Sequence, residues 1–94
     1  MASEKETRTF KLGQVLITPN ALQSIHPQDS LLCLKRHQNC DWGDCCPEDA
    51  AENEFSLDKY LRLFSVYHDR NGVKFWIITE ADRSATTTLL PEDY

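Results

Sequence analysis

The chain has 94 residues, which is enough for one small domain with one modest hydrophobic core. Its 40% hydrophobic and 27% charged residues are typical of a soluble globular domain and exclude a wholly disordered chain. Fifteen acidic residues against ten basic ones give a formal charge of −5, so the basic surface that usually contacts nucleic acid is not expected.

The apolar runs of the sequence are too short to cross a membrane. The first residues also lack the apolar segment of a secretory signal. We therefore expect a cytoplasmic protein whose cysteines are reduced.

The N-terminal part of the chain predicts a tail, a strand and three short helices. Residues 1–8 are polar and predict a disordered tail, while residues 9–94 predict a single α+β domain. The sequence of residues 10–17 favours a strand. Proline is preferred in the first turn of a helix, so helices are expected at 19–25, from Pro27 to before residue 41, and at 47–57.

The strongest local signal is a hairpin between residues 61–68 and 73–79. Asn71-Gly72 is typical of a two-residue type I′ turn, and this turn places Tyr67 opposite Trp76. The same register predicts the residues that face the core: Phe64, Val66, Phe75 and Ile77. A further strand is expected at 85–90. The predicted fold is α+β, an antiparallel sheet of three to four strands with two or three short helices packed on one face.

Five residues with thiol or imidazole groups lie close together in the sequence and could bind zinc: Cys33, His37, Cys40, Cys45 and Cys46. Their spacing matches no standard zinc motif, and free cysteine commonly packs as a small apolar residue. We therefore expect neither a metal ion nor another cofactor, and the five residues are the candidates if a metal is bound.

Thiol catalysis is a second candidate chemistry. Cys46 precedes a predicted helix, whose positive end would stabilise a thiolate, and His37 or His26 could act as a base. Nearby acids oppose that activation, so a non-enzymatic protein is favoured. The alternative is a small metal- or thiol-dependent enzyme that uses His37, Asp44, Cys46, Glu80 and Asp82.

Acidic residues are concentrated between residues 41 and 58, where there are seven acids and no lysine or arginine. The commoner interpretation of such a segment is a solvated helix face. The functional interpretation is a negative surface that attracts a basic partner and occupies a nucleic-acid-binding groove. Among the aromatic residues, Trp76 is expected in the core, and Trp42 is either a core residue or a binding anchor.

Several sequence segments together resemble a known family. They are Phe10 to Val15, Arg36-His37, Asp41-Trp42-Gly43-Asp44 with Cys46, Trp76 to Ser84, and Leu89 to Tyr94. With these segments the chain resembles a family of small uncharacterised proteins of bacterial conjugative plasmids and integrative elements, some labelled type I restriction subunit M. The family has no established activity, so the resemblance implies a mobile-element setting and no mechanism.

The family pattern is matched at the following residues: His37, Trp42, Gly43, Asp44, Cys46, Glu80, Asp82 and Arg83. Cys33, Cys40 and Cys45 depart from it, which weakens a metal site that needs these thiols. The matched polar residues fall in two connections, 41–44 and 80–84, and would form one site if the two connections meet.

These observations predict a small non-enzymatic acidic binding protein of a bacterial mobile genetic element. It would act by protein–protein contact, as an inhibitor of host defence of the anti-restriction or anti-CRISPR type. The expected partner is a basic or nucleic-acid-handling protein, not nucleic acid itself and not a membrane. The candidate binding residues are Trp42, Asp44, Glu48, Asp49, Glu80, Asp82 and Arg83, and a structural subunit of a larger assembly is a further alternative.

Overall fold

The computed structural model describes residues 8–94. In chain order the elements are β1 (Gln14–Ile17), α1 (Pro19–Ser24), α2 (Pro27–Gln38), α3 (Pro47–Lys59), β2 (Leu63–His68), β3 (Lys74–Thr79), β4 (Ala85–Leu89) and a final 3₁₀ turn (Pro91–Asp93). Residues 1–7 of the predicted tail lie outside the described part. Arg8, the last residue of that tail, donates to the Glu54 carboxylate at 2.6 and 3.0 Å.

Each helix begins at a proline, as the sequence predicts. The hydroxyl of Thr18 accepts a hydrogen bond from the Ala21 backbone nitrogen at the start of α1, and Nδ1 of His26 accepts from Gln28 at the start of α2. At the start of α3 no side-chain cap is formed, but two acids occupy the first turn, where the helix dipole favours them.

The four strands form one mixed sheet in the order β1-β4-β3-β2. The pairs β2–β3 and β3–β4 are antiparallel, as predicted. The N-terminal strand β1 instead pairs in parallel with β4. Parallel neighbours need a long connection, and here the three helices and the β2–β3 hairpin lie between the two strands in the chain. The fold is therefore α+β, with a mostly antiparallel sheet and helices packed on it.

The predicted hairpin register is wrong by one residue. Tyr67 lies opposite Phe75, not Trp76, because Asp69 pairs with Val73 and the loop between them holds three residues rather than two. The Asp69 carboxylate causes this difference. Its Oδ1 accepts from the backbone nitrogens of Asn71 and Val73 at 2.8 and 2.9 Å, so the side chain stabilises a longer turn.

A shift of one residue exchanges the two faces of a strand. Six residues of β2 and β3 therefore line the helix-covered face, and all are buried: Leu63, Ser65, Tyr67, Phe75, Ile77 and Thr79. The prediction for Phe75 and Ile77 is confirmed, and that for Phe64 and Val66 is wrong. Trp76 is half-buried on the opposite face, with its ring 4.8 Å from that of Phe64 and 5.7 Å from that of Tyr94.

Two apolar clusters fill the space under the helices. The larger joins α1, α2 and the sheet through Ala21, Ile25, Cys33, Tyr67, Phe75, Ile77 and Leu90. The smaller contains Cys40, Trp42 and Leu63, with Phe10, Cys45, Ala50 and Leu57 packed against it. Within residues 8–94, no helix has the length and apolar character needed to cross a bilayer.

Candidate protein-binding surface

Trp42 belongs to a connection that covers the outer edge of β2. Its carbonyl accepts from Val66 N at 3.3 Å, and Asp44 N donates to the Val66 carbonyl at 2.6 Å. The Trp42 ring is only 7% exposed, and its indole nitrogen donates to Glu54 at 2.8 Å. The ring is thus a core residue in this conformation and offers no exposed anchor to a partner.

The acids of the candidate set are placed differently from Trp42. Asp44 is exposed and lies 2.8 Å from Nδ1 of His68. Glu48 and Asp49 are exposed in the first turn of α3, and Glu52 is exposed one turn further along. Within residues 8–94, no lysine or arginine side chain forms an ion pair with these three α3 acids.

Other acids of the segment are neutralised by the protein itself. Asp41 pairs with Arg36 at 2.8 Å, and Glu54 pairs with Arg8 at 2.6 Å. The bonds from the two guanidinium groups lower the pKa of each carboxyl. The negative surface is therefore narrower than the sequence predicts and is concentrated on the exposed side of α3.

The β3–β4 connection holds the remaining candidate residues, and two of its acids serve local structure. Glu80 lies 3.6 Å from Nε of Arg62. Asp82 accepts from the backbone nitrogen of Ser84 at 3.0 Å, and its bonds to Ser84 lower the pKa of its carboxyl. Asp82 therefore stabilises the turn, and Glu80 is partly neutralised by Arg62, in the absence of any partner.

Arg83 points inward rather than toward a partner. Its guanidinium donates only to backbone carbonyls, at 2.7 to 3.1 Å, namely those of Ser56, Leu61, Glu80 and Ala81. It also lies 5.0 Å from the centre of the Tyr60 ring and 5.9 Å from that of Phe10. Burial lowers the pKa of this side chain. Arg83 thus joins the C-terminal end of α3 to the β3–β4 connection.

The two polar connections do not form one site. Asp44 is held beside His68, at the C-terminal end of β2, while Glu80 is held beside Arg62, before the strand begins. The strand between Leu63 and His68 spans about 16 Å at the usual rise per residue. The exposed acids of the two connections therefore lie toward opposite ends of the sheet.

His37 is completely buried and occupies a chain of hydroxyl groups. Thr86 Oγ1 donates to the Leu12 carbonyl at 2.7 Å, which uses its only hydroxyl proton. Thr79 must then donate to Thr86 and accept from Nε2 of His37, at 2.7 and 2.8 Å. His37 is consequently protonated at Nε2, and its Nδ1 accepts from the Ser65 hydroxyl at 2.5 Å.

This environment keeps the imidazole of His37 neutral. Burial, with a smaller contribution from the charge of Arg83, lowers the pKa of His37 from an ordinary value near 6.5 to about 3. Both ring nitrogens are engaged by hydroxyls, so neither is available to bind a metal ion or to activate the exposed Cys46.

The thiols among the candidate metal ligands differ in their surroundings. Cys33 and Cys40 are buried, and burial raises the pKa of each thiol. Cys45 is half-buried and donates to the Phe64 carbonyl at 3.4 Å, while Cys46 is exposed before α3. Among residues 8–94, no three His, Cys, Asp or Glu side chains are grouped as a metal site requires.

Sequence reasoning missed the inward roles of Arg83 and His37. The available signal was one hydroxyl residue in each of three predicted strands, Ser65, Thr79 and Thr86, which suits a buried polar partner. That signal becomes readable only when the register is known, because the predicted register places Ser65 on the wrong face.

Comparisons with protein-family models, with curated proteins and with solved structures give no match to this chain. The resemblance to a family of small proteins of conjugative elements therefore stays a prediction.

Proposed function

We propose that the protein is a non-enzymatic binding protein that acts by protein–protein contact through the exposed acidic side of α3. The observation that carries this proposal is the trio Glu48, Asp49 and Glu52, which is exposed and without an internal cationic partner in residues 8–94. Such a surface accelerates encounter with a basic partner and selects among partners.

The rigidity of α3 supports this proposal. The Asn53 side chain exchanges two hydrogen bonds with the backbone of Phe64, at 2.7 and 3.0 Å, and so fixes the helix to the edge of β2. At its C-terminal end the helix is held by Arg83. A surface held in this way loses little conformational entropy when it binds.

The resemblance to a family of bacterial mobile elements supports a narrower form of the proposal. In that setting the partner is a basic or nucleic-acid-handling protein of host defence, and the protein inhibits it in the cytoplasm. The acidic side of α3 would then take the place of nucleic-acid phosphates.

Capture from bacterial lysate tests this proposal with two charge-matched variants. The double substitution Glu48→Gln/Asp49→Asn raises the net charge by two and removes acids of the proposed surface. The control Gln23→Lys/Asn71→Lys raises the net charge by the same amount at exposed positions away from α3. We expect the first variant to capture at least tenfold less partner than the native protein, and the control to capture as much as the native protein.

Equal loss in both variants would show that only net charge matters, and this result would contradict a specific surface on α3. Capture that recovers no nucleic-acid-handling or defence protein would contradict the narrower form. Circular dichroism of both variants shows whether the fold is retained.

A further inference from the structure

The two edges of the sheet are treated differently by the fold. At the β2 edge, the outward backbone groups of Phe64 and Val66 are all hydrogen-bonded, to Asn53 and to the Trp42–Asp44 connection. At the β1 edge, no other segment of residues 8–94 pairs with the strand. An unprotected edge strand is a template for a further strand.

The free groups of β1 can be identified from its pairing with β4. The backbone nitrogens of Gln14 and Thr18 donate to the carbonyls of Ser84 and Thr88. The backbone N–H and C=O groups of the even-numbered residues of β1 are therefore directed toward β4. Val15 and Ile17 therefore direct their N–H and C=O groups away from the sheet. Two donors and two acceptors are placed symmetrically about Leu16.

Apolar side chains surround this edge. Five of them are between 36% and 70% exposed: Val15, Leu16, Ile17, Leu22 and Leu31. A groove of about 290 Å³ lies between β1 and α2, lined by Val15, Ile17, Leu31 and Leu34 among others. An exposed edge with apolar flanks is more typical of an interface than of a solvated surface.

We propose that β1 is a self-association surface, where a second copy of this chain pairs antiparallel with β1 and extends the sheet to eight strands. The pairing places Val15 opposite Ile17 of the partner and Leu16 opposite its own copy. This register satisfies all four outward groups of each strand. Gly13, at φ +66°, and Pro19 end the pairing on either side.

Two further observations favour a second copy over another occupant. The two-fold axis of an antiparallel pair is perpendicular to the sheet, so the α2 helices of both copies lie on the same side and their exposed leucines approach each other. The pairing also brings the start of one strand, next to Lys11, toward the end of the other, where Asp93 accepts hydrogen bonds from Thr18 and Asn20 at 2.6 and 2.8 Å. Neither residue forms an ion pair within residues 8–94.

The acidic side of α3 lies at the opposite edge of the sheet, so the negative charges of two copies stay apart. The available area sets the strength of the association. An aliphatic side chain offers on the order of 100 Å² of apolar surface when fully exposed, so the five side chains supply roughly 260 Å² per copy. Stable complexes bury about 800 Å² per partner, and we therefore expect a weak, concentration-dependent dimer.

Sedimentation equilibrium of the full chain between about 10 μM and 1 mM tests the association in the range of weak complexes. We expect the mass to rise toward twice the chain mass. Val15→Lys and Ile17→Pro should stay monomeric, since one adds an edge charge and the other removes an outward donor that no intramolecular bond uses. Ile17→Val is the matched control and should dimerise as the native chain does.

Cross-linking tests the register. Opposite residues at a non-hydrogen-bonded antiparallel pair have Cα atoms about 4.5 Å apart, a distance that a disulfide can span. In a Cys46→Ser background, Leu16→Cys should form a covalent dimer on mild oxidation at least tenfold faster than Val15→Cys, which lies opposite a different residue.

A chain that stays monomeric at 1 mM overturns the proposal, and so does a dimer that survives Val15→Lys. If removal of residues 1–7 is needed before dimers form, those residues occupy the edge and the proposal is wrong for the full chain. Loss of dimerisation leaves capture by the α3 surface unaffected, so this result and the test of the proposed function are independent.

Discussion

His37 places an imidazole in the buried interior, where its two ring nitrogens bond the hydroxyls of Ser65 and Thr79, and Thr79 continues the chain of hydrogen bonds to Thr86. A buried polar group costs little when every donor and acceptor is satisfied, and much when one partner is lost. The residue is therefore a structural element with a titratable group that the fold keeps neutral.

The stability of the protein should decrease as the pH falls below 6.5. The pKa of His37 is near 3 in the folded protein and near 6.5 in the unfolded chain, so the unfolded chain binds the extra proton between these values. Integration of this difference predicts that the free energy of unfolding falls by about 2 kcal/mol from pH 7 to pH 5. Urea denaturation at several pH values measures the change.

His37→Gln should remove most of this pH dependence and lower stability at pH 7 by about 1–3 kcal/mol, because hydroxyl partners are lost. His68→Gln, at an exposed position, is the matched control and should keep the pH dependence. A native protein whose stability is constant from pH 7 to pH 5 would refute the neutral, buried imidazole.

Arg83 is the second residue whose environment determines its role. Its planar guanidinium reaches four backbone carbonyls at once, which the single ammonium group of lysine cannot do. Arg83→Lys should therefore lower the free energy of unfolding by about 2–4 kcal/mol, since each hydrogen bond to a charged group is worth about 1.5–3 kcal/mol and part of the set survives.

Arg62→Lys provides the comparison for Arg83. Arg62 is exposed, and its contacts are with Glu80 and the Tyr94 hydroxyl, so the substitution should cost less than about 0.5 kcal/mol. Chemical denaturation of Arg83→Lys and Arg62→Lys under the same conditions measures the two losses of stability. Equal small effects would mean that the carbonyl contacts of Arg83 do not stabilise the fold.

At the scale of elements, local signals in the sequence predict where helices and strands occur better than they predict how strands pair. The prolines at residues 19, 27 and 47 mark the three helix starts, because φ is fixed by the ring. The hairpin register depends on Asp69, whose carboxylate accepts hydrogen bonds from the backbone of the loop. The turn propensities of Asn71 and Gly72 do not indicate that this longer loop forms. The parallel pairing of β1 depends on a crossover of more than sixty residues and has no local signal.

At the candidate site too, the sequence predicts local features but not long-range contacts. The sequence identifies an acidic segment correctly, but which acids are neutralised depends on Arg8 and Arg36, and Arg8 is far away in the chain. Trp42 and Arg83 lie in polar connections of the sequence, so the sequence alone suggests that they are exposed binding residues. Both are buried, because long-range packing supplies partners that the sequence does not reveal.

Gly43 and Gly72 offer a matched test of how the 41–44 connection lies against β2. Both have positive φ, at +74° and +84°. A Cβ at Gly43 would overlap the Val66 carbonyl and lie 2.6 Å from the Tyr67 ring, while a Cβ at Gly72 would meet nothing within 4 Å.

Gly72→Ala should therefore lower the free energy of unfolding by about 1 kcal/mol, which is the cost of placing an L-residue at positive φ without any steric overlap. Gly43→Ala should cost at least about 2 kcal/mol more, because backbone must move to relieve the overlap. Thermal and urea denaturation of both variants measure the difference. If the two substitutions cost the same, the connection does not lie as close to β2 as described.

At the scale of the whole molecule, the fold separates two kinds of surface. The acidic side of α3 lies at the β2 edge, and the apolar side chains around β1 lie at the other edge of the sheet. Between them, the helix-covered face holds the core and the buried hydroxyl chain. The two proposals therefore use separate surfaces: the basic partner would contact the α3 side and a second copy the β1 edge.

The four free thiols report on the integrity of this whole arrangement. Cys46 is exposed, Cys45 is half-buried, and Cys33 and Cys40 are buried in the two different core clusters. Burial also raises the pKa of the Cys33 and Cys40 thiols, which lowers the fraction of reactive thiolate. Labelling with iodoacetamide, followed by mass spectrometry of peptides, resolves them individually.

We expect Cys46 to react fastest, Cys45 more slowly, and Cys33 and Cys40 slower than Cys46 by a factor on the order of 10³ or more, since they become accessible only when the domain opens. In concentrated urea all four should react at similar rates, which controls for intrinsic reactivity. Because Cys33 and Cys40 lie in separate clusters, equal protection of both indicates that the clusters open together as one cooperative unit. Rapid labelling of Cys40 alone would show instead that the smaller cluster, with Trp42 and the start of α3, opens independently, and α3 would then be too mobile to present a fixed acidic surface.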